Sequence, residues 1–295
     1  MRIDALARTE LAAATRVLAD ACAYDRAATV AEEKLFGEGP GGPPRAFGAW
    51  DGGALVGVAA LAETWLRLVA VRRDARGRGA GGALLAACVD AARLAGVDRL
   101  RTLDQPGNYL APGIDERNAD AIAWLERRAW TRIGEPRSNI LIDVQTNPRV
   151  TAERAVAAAA ACAAHGYEVR RARRDETELL DAVAGEFGGA WPFELRSALG
   201  HAPAPAVHVA TRDGAYCAFA AHDGNNRGLG WFGPTGTWPA HRGRGLGEAT
   251  LLACLVDVGL EHPRCEVAWI GPRPFYDKVA GIVDERRFIV LSRTL

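Results

Sequence analysis

Lysine is nearly absent from this 295-residue chain: Lys34 and Lys278 are its only two, and all remaining positive charge is arginine. The bias is one of composition rather than function. No charge excess exists either, since 36 basic residues face 36 acidic ones. Without a net field nothing recruits nucleic acid or an anionic membrane, and any phosphate recognition has to be local. Long apolar runs are missing as well. The longest, Ala155 to Ala164, is about half a membrane span, and the charged start MRIDALARTE lacks the apolar centre of a signal peptide. The expectation is a cytoplasmic protein with no membrane and no nucleic-acid partner. The six cysteines form no closely spaced ligand pairs, which predicts buried free thiols and no metal.

What is present is a repeated motif. Arg-Gly-Arg-Gly-x-Gly occurs as RGRGAG from Arg76 and as RGRGLG from Arg242, each running into an aliphatic helical stretch. One offset, 166 residues, superposes Val69 on Thr235, Val71 on Thr237, Gly79 on Gly245, Gly81 on Gly247, Leu85 on Leu251 and Cys88 on Cys254. A repeat of that length is a whole domain, not a solenoid unit, whose period is about 20–50 residues. The length also exceeds the roughly 100–200 residues expected of one domain. Two domains are predicted, 1–147 and 148–295, with the break at Asn147-Pro148.

In the first half Arg2 to Leu6 reads as a strand, Leu11 to Cys22 and Ala27 to Phe36 as helices, and GEGPGGPP, from Gly37, as a break. Arg45 to Trp50 and Ala54 to Leu61 form a hairpin around Asp51-Gly52-Gly53, and Trp65 to Val71 continues the sheet. A helix from Gly79 to Leu94 follows, because Leu84, Leu85, Cys88 and Leu94 recur at helical spacing. Then come a strand at Arg99 to Leu103, a loop over Asp104 to Glu116, a helix from Asn118 to Arg128 and closing strands from Arg132 to Val144. After an Ala-rich connecting helix, the second half repeats the order, ending in a short helix at Pro274 to Val279 and strands to Leu295. Short turns rather than helices join the early strands, so the predicted class is α+β: two domains, each a mainly antiparallel mixed sheet flanked by helices.

A strand feeding a Gly-rich turn and then a helix aims several free backbone N–H groups at one point beside the positive end of the helix dipole. Phosphate binds at such a point. Gly77, Gly79 and Gly81, like Gly243, Gly245 and Gly247, permit close approach of the main chain, and Arg76, Arg78, Arg242 and Arg244 add charge. No Gly-Lys-Ser or Gly-Lys-Thr follows, which excludes a P-loop, and the glycine spacing is wrong for a dinucleotide fingerprint.

These residues resemble the GNAT superfamily of N-acetyltransferases, whose signature is Arg or Gln, two residues, Gly, one residue, Gly or Ala. Arg76, Gly79 and Gly81 fit it, as do Arg242, Gly245 and Gly247, and LVAVRRDARGRGAG and GTWPAHRGRGLG look like the family's fourth strand entering its pyrophosphate loop. The resemblance covers both halves and implies a tandem GNAT protein, with GNAT-fold domains that bind acetyl-CoA as co-substrate. It places the acyl carrier against Val69, Ala70, Val71, Arg76, Gly77, Arg78, Gly79, Ala80, Gly81, Gly82 and Asn118 in the first half. In the second half the same positions are Thr235, Gly236, Thr237, Arg242, Gly243, Arg244, Gly245, Leu246, Gly247 and Glu248.

The resemblance also implies a proton donor for the departing thiolate, a tyrosine on the helix that follows. FYDKVAG puts Tyr276 at that position, with a packing tyrosine as the alternative reading, whereas NADAIAWLERRAW puts Leu125 there. A leucine cannot donate a proton. The first half then uses another acid, such as Tyr109, or binds CoA without chemistry, or is a structural copy. Its motif lies 49 residues before Leu125, against 34 before Tyr276, and the extra length holds the loop Pro106 to Gly113, which either shapes an acceptor pocket or packs. Glu63, near the start of the fourth strand, is the candidate general base, with Glu266 and Asp223 as further possibilities in the second half. Trp191, Phe193, Trp231, Phe232 and Trp238 line an apolar acceptor site or belong to the core. The reading is an N-acetyltransferase acting on a small-molecule or peptide amine by direct attack, as a monomer or homodimer; the alternative is an acyl-CoA-binding sensor or scaffold.

Overall fold

The structure is a computed structural model that describes residues 1–295. In chain order its elements are β1 (Arg2–Ala5), α1 (Leu11–Ala21), α2 (Ala31–Phe36), β2 (Arg45–Asp51), β3 (Ala54–Ala62) and β4 (Trp65–Val71). There follow α3 (Ala80–Leu94), β5 (Arg99–Thr102), β6 (Ile114–Asp115), α4 (Ala119–Glu126), β7 (Thr131–Asp143) and α5 (Ala152–Ala163). The remainder is β8 (Glu168–Arg171), α6 (Glu178–Phe187), α7 (Trp191–Leu199), β9 (Val207–Arg212), β10 (Ala215–His222), β11 (Trp231–Thr237), α8 (Leu246–Gly259), β12 (Arg264–Val267), α9 (Arg273–Val279) and β13 (Asp284–Thr294). No helix is long and apolar enough to cross a membrane.

The chain divides into two compact units, one of Met1–Arg137 with Arg286–Leu295 and one of Ser138–Glu285. The sequence places a single break at 147/148; the structure gives two crossings, inside β7 and inside β13. In the N-terminal unit β1, β2, β3 and β4 pair antiparallel in succession, β5 joins β4 in parallel, and β13 closes the sheet antiparallel to β5. The C-terminal unit repeats this order: β8, β9, β10 and β11 antiparallel, β12 parallel to β11, and residues 140–143 of β7 antiparallel to β12. Each seat beside the parallel strand is thus filled from a distant part of the sequence. Arg286 fixes β13 in the N-terminal unit through Asp25 at 2.6 Å and Asp115 at 3.0 Å.

The helix after each glycine turn is held by its apolar face. In α3, Leu84, Leu85, Cys88, Val89 and Ala92 pack with Ala59, Leu61, Leu66 and Leu100 in one buried cluster. Gly57 makes room for it, since a Cβ there would lie 2.9 Å from Leu84 Cδ1. In α8, Leu251, Leu252, Cys254, Leu255 and Val258 pack with Ile140, Ile142, Phe232, Cys265 and Tyr276. Truncating a fully buried leucine such as Leu84 or Leu252 to alanine costs about 2–5 kcal/mol, so both helix starts rest on firm packing.

Candidate active sites

Each glycine turn leaves its strand through one turn of tight helix, Arg73–Ala75 or Pro239–His241, and enters a long helix capped by a left-handed glycine. Gly79 is at φ +91° and Gly245 at φ +78°, and no side chain caps either helix. The N–H groups of residues 77–82 and of residues 243–248 have no backbone acceptor. These residues line exposed, open turns: a Cβ built on Gly77, Gly79 or Gly243 would meet nothing within 4 Å. Six unsatisfied donors at the positive end of a helix dipole make an anion receptor that would suit a diphosphate.

The motif arginines do something other than point at that receptor. Arg76 Nε donates to the Val71 carbonyl at 3.2 Å and Arg242 Nε to the Thr237 carbonyl, also at 3.2 Å. Both guanidinium groups brace the strand end that feeds the turn. Arg76 also reaches the Ala21 carbonyl at 3.1 Å. The exposed side chains of Arg78 and Arg244 are unpartnered and remain available to an anion. Ala80 and Leu246 are buried and contribute through their N–H groups only. Glu248 pairs with Arg154 at 3.4 Å, and Asn118 caps α4 without a side-chain hydrogen bond.

Below the turns, the sheet opens at equivalent points. Pairing between β4 and β5 ends at Leu66 and Thr102, and pairing between β11 and β12 ends at Phe232 and Val267. An extra residue in β4 lies between Leu66 and Leu68, and β11 is lengthened in the same way between Phe232 and Thr235. Arg72 N–H bonds Val56 on β3 and Trp238 N–H bonds Cys217 on β10. Backbone groups alternate in direction along a strand, so Val69, Val71, Thr235 and Thr237 turn theirs toward the open edge, and Ala70 and Gly236 turn theirs inward. A chain of acceptor and donor groups running along a V-shaped gap suits an extended amide-bearing arm.

A Cβ on Gly81 would meet Trp124 Cζ2 at 3.4 Å, and one on Gly247 would meet Phe275 Cζ at 3.6 Å. This equivalence aligns α4 with α9 and Leu125 with Tyr276. Tyr276 is 5% exposed, and its ring packs edge-on to Phe232, the last paired residue of β11, with centroids 6.5 Å apart. Its hydroxyl makes no hydrogen bond. Burial, with the neighbouring Cys265, pushes its pKa up to about 12, which keeps the proton on the oxygen at any physiological pH. Leu125 is 6% exposed and belongs to the core of the N-terminal unit.

Glu63 is not brought to the gap. It lies exposed in the turn between β3 and β4, with its carboxylate beside Gly41, six residues before Val69, or about 20 Å along an extended strand. Glu266 accepts from Asn139 Nδ2 at 2.7 Å on β12, and Asp223 is buried between His222 and the Gly228 N–H. The loop over 104–113 packs inside the N-terminal unit, with Asp104, Gln105, Asn108, Tyr109, Leu110 and Ala111 all buried. Tyr109 belongs to that packing. Among the aromatics, Trp191 and Trp238 cluster with Phe187 and Phe219, Trp231 is fully buried, Phe232 belongs to the α8 core and Phe193 is half-buried. Sequence reasoning missed Phe187: a Cβ on Gly236 would be 2.8 Å from its ring, so Gly236 is the residue that admits it.

Comparison with known proteins bears on the fold. Residues 12–129 match the acetyltransferase (GNAT) family. The whole chain shares its fold with a tandem GNAT protein from the clavulanic acid biosynthesis pathway, at 19% identity and TM-score 0.68, covering 99% of this chain and 98% of that one. A GCN5-related glucosamine N-acetyltransferase region in a fungal multi-domain GH3 β-N-acetylglucosaminidase superposes with TM-score 0.76 at 17% identity over 99% of this chain. This chain spans 38% of that larger protein's length. A GCN5-related N-acetyltransferase from Sphaerobacter thermophilus superposes with TM-score 0.63 at 14% identity, covering 99% of this chain and 95% of that one. No curated protein matches the sequence. Residues 12–129 thus match a GNAT acetyltransferase domain, and the chain as a whole shares the α+β fold of a tandem GNAT protein.

Proposed function

We propose that this chain is an N-acetyltransferase that moves an acetyl group from acetyl-CoA to a primary amine, with the chemistry in the C-terminal unit. One observation carries the assignment: the buried, protonated Tyr276 lies at the foot of the gap between β11 and β12, whereas Leu125 holds the equivalent place in the N-terminal unit. Both turns fit a CoA diphosphate, because each offers free N–H donors, open space and an unpartnered arginine.

In the C-terminal unit the N–H groups of residues 243–248 hold the diphosphate, and the backbone of Thr235 and Thr237 aligns the pantetheine arm. A backbone N–H on this open edge stabilises negative charge on the acyl oxygen as the amine attacks. Tyr276 gives its proton to the leaving sulfur. Direct attack fits the state of the six thiols: burial raises Cys22 and Cys88 to about 12, moves Cys162 and Cys217 upward, and lifts Cys254 and Cys265 well above the usual range, so no thiolate nucleophile is on hand. In the N-terminal unit the missing donor favours binding of the acyl carrier without transfer.

Release of free CoA across a panel of amines, compared with Tyr276→Phe, tests the reading. Turnover that drops at least about tenfold in the variant supports it. Tight acetyl-CoA binding with no turnover on any amine would replace it with a sensor or scaffold.

A further inference from the structure

Arg67 is the extra residue of β4, and the position equivalent to it at the repeat offset is Gly233. Its side chain is 0% exposed. Nε donates to Gln105 Oε1 at 2.7 Å, and Nη1 donates to the carbonyls of Gly37 at 2.8 Å and Lys34 at 3.3 Å. Nη2 is buried without any hydrogen-bond partner. Every atom the guanidinium bonds is neutral. The other buried cation, Lys34, takes the adjacent carboxylate, Glu33, at 2.6 Å and also bonds Asn108 Oδ1 at 2.8 Å. A guanidinium withdrawn from water with the two N–H groups of Nη2 unbonded and no carboxylate in contact with it is strongly unfavourable unless something else completes it.

The residue beside Nη2 is Gly39, where a Cβ would stand 3.3 Å away. Gly39 and Gly42 exchange N–H to carbonyl bonds of 2.9 Å, closing a small Gly- and Pro-rich turn over the guanidinium. Beneath it, Arg67 and Gln105 come from β4 and from the chain just past β5, the two strands that part above Leu66. Arg67 thus stands at the foot of the gap, two residues, or about 7 Å, from Val69. That distance is about the reach of a four-carbon diacyl chain whose thioester lies along Val69 to Val71.

We propose that Arg67 is the receptor for a compact carboxylate, the distal carboxylate of a dicarboxylic acyl-CoA, so that the N-terminal unit selects such thioesters over acetyl-CoA. Binding requires the Gly39–Gly42 turn to lift, after which the two Nη2 hydrogens meet the carboxylate. The inference rests on the reading that the turn at residues 77–82 holds a CoA diphosphate.

The experiment is calorimetric titration of the full chain carrying Gly245→Glu, which closes the C-terminal turn. The probes are acetyl-CoA and succinyl-CoA analogues with CH2 in place of the thioester sulfur, and free succinate. Succinyl-CoA analogue is expected to bind about tenfold or more tighter than the acetyl analogue, the scale of a charge-assisted hydrogen bond. Arg67→Met should bring the ratio to about one without changing acetyl affinity, and Arg67→Lys should restore part of it. Should Arg67→Met not fold, Gly39→Val fills the space over Nη2 and is expected to remove the same preference. Arg67-dependent binding of free succinate with no preference between the thioesters would keep the carboxylate receptor but assign it to an acceptor. Equal thioester affinities together with no Arg67-dependent succinate binding would overturn the inference. Failure of the acetyl analogue to bind at all counts against the diphosphate turn instead, and the succinate arm still decides the role of Arg67.

Discussion

The two units share a strand order, a glycine turn, a braced strand end and a parting of strands at the same repeat position, yet they fill the foot of the gap in opposite ways. The C-terminal unit has Gly233 at the extra residue of its strand and a tyrosine hydroxyl with no partner beside the gap. The N-terminal unit has a buried arginine there, a loop of 104–113 packed around it, and a leucine in place of the tyrosine. The proposed receptor for the diphosphate is built from backbone and glycine, which a duplicated fold keeps as long as the helix start is kept. The proposed proton donor is a single side chain, which a single substitution would remove. Binding geometry and chemistry are therefore separable, and each prediction below separates them further.

Closing a turn has the largest expected effect. Gly79→Glu and Gly245→Glu each put a carboxylate where a diphosphate would sit, at residues whose φ of +91° and +78° also disfavours any side chain. Each substitution should abolish acetyl-CoA binding in its own unit, taking calorimetric stoichiometry from two per chain to one. Gly245→Glu should also end turnover, and Gly79→Glu should spare it. If Gly79→Glu alone stops turnover, the chemistry belongs to the N-terminal unit.

Tyr276→Phe should lower kcat about 10²-fold and leave acetyl-CoA affinity unchanged, since the hydroxyl acts only as sulfur departs. The control is Leu125→Phe, which should leave kcat alone. Because burial raises the Tyr276 hydroxyl to about 12, this acid stays loaded below that value. The rate should show no alkaline fall from loss of this proton up to about pH 10. A falling limb centred between pH 8 and 9 that disappears in Tyr276→Phe would show a hydroxyl far more acidic than its burial allows.

Removing the strand braces should have a moderate effect. Arg76 holds two carbonyls, Val71 and Ala21, whereas Arg242 holds only Thr237. Both side chains are exposed, so each contact contributes about 1 kcal/mol or less. Arg76→Ala should weaken acyl-CoA binding in its unit by about fivefold, and Arg242→Ala by less. Equal or reversed losses in the two units would indicate that these guanidinium groups turn to the diphosphate when it binds.

The repeat, both turns and the Leu125 and Tyr276 positions were legible in the sequence because each is set by local spacing at one offset. The helix starts are found one residue later than expected, at Ala80 and Leu246, since the glycine before each adopts the left-handed cap. What could not be read was non-local. The patterns in NILID and RFIVL identify strands, but nothing in them says that residues 140–143 pair with β12 or that Ser292 pairs with Arg101. The motif arginines look like phosphate ligands in sequence, and only coordinates show them folded back on Val71 and Thr237. Likewise Lys34, Arg67, Gln105 and Asn108 form one cluster although Lys34 and Asn108 are 74 residues apart.

The smallest expected effect is a pH response confined to one unit. All six histidines, from His165 to His262, lie within Ser138–Glu285. His222, on β10, stands 3.2 Å from Asp223 and 3.6 Å from Asp257 on α8, with the His201 ring 6.0 Å away. Asp257 is also held by His208 and Arg171, each at 2.7 Å. Burial alone would lower the His222 pKa, but the two carboxylates outweigh it and the net shift is upward. A raised folded value means that this stabilisation is complete below about pH 6.5 and is lost as pH rises through the folded value. Asp257 and Asp223 shift downward, where partners outweigh burial, so their contribution is present at neutrality and is lost only in acid. Hydrogen-exchange protection of β9 and β10 amides should therefore fall as pH rises above about 6.5, with a slope of at most about 1.4 kcal/mol per pH unit for one proton. Protection in β3 should stay level as the pH rises above that value, as the N-terminal unit has no histidine to titrate, and His222→Gln should flatten the response of β10. A fall of equal size in β3 would place the titrating group outside the His222 cluster.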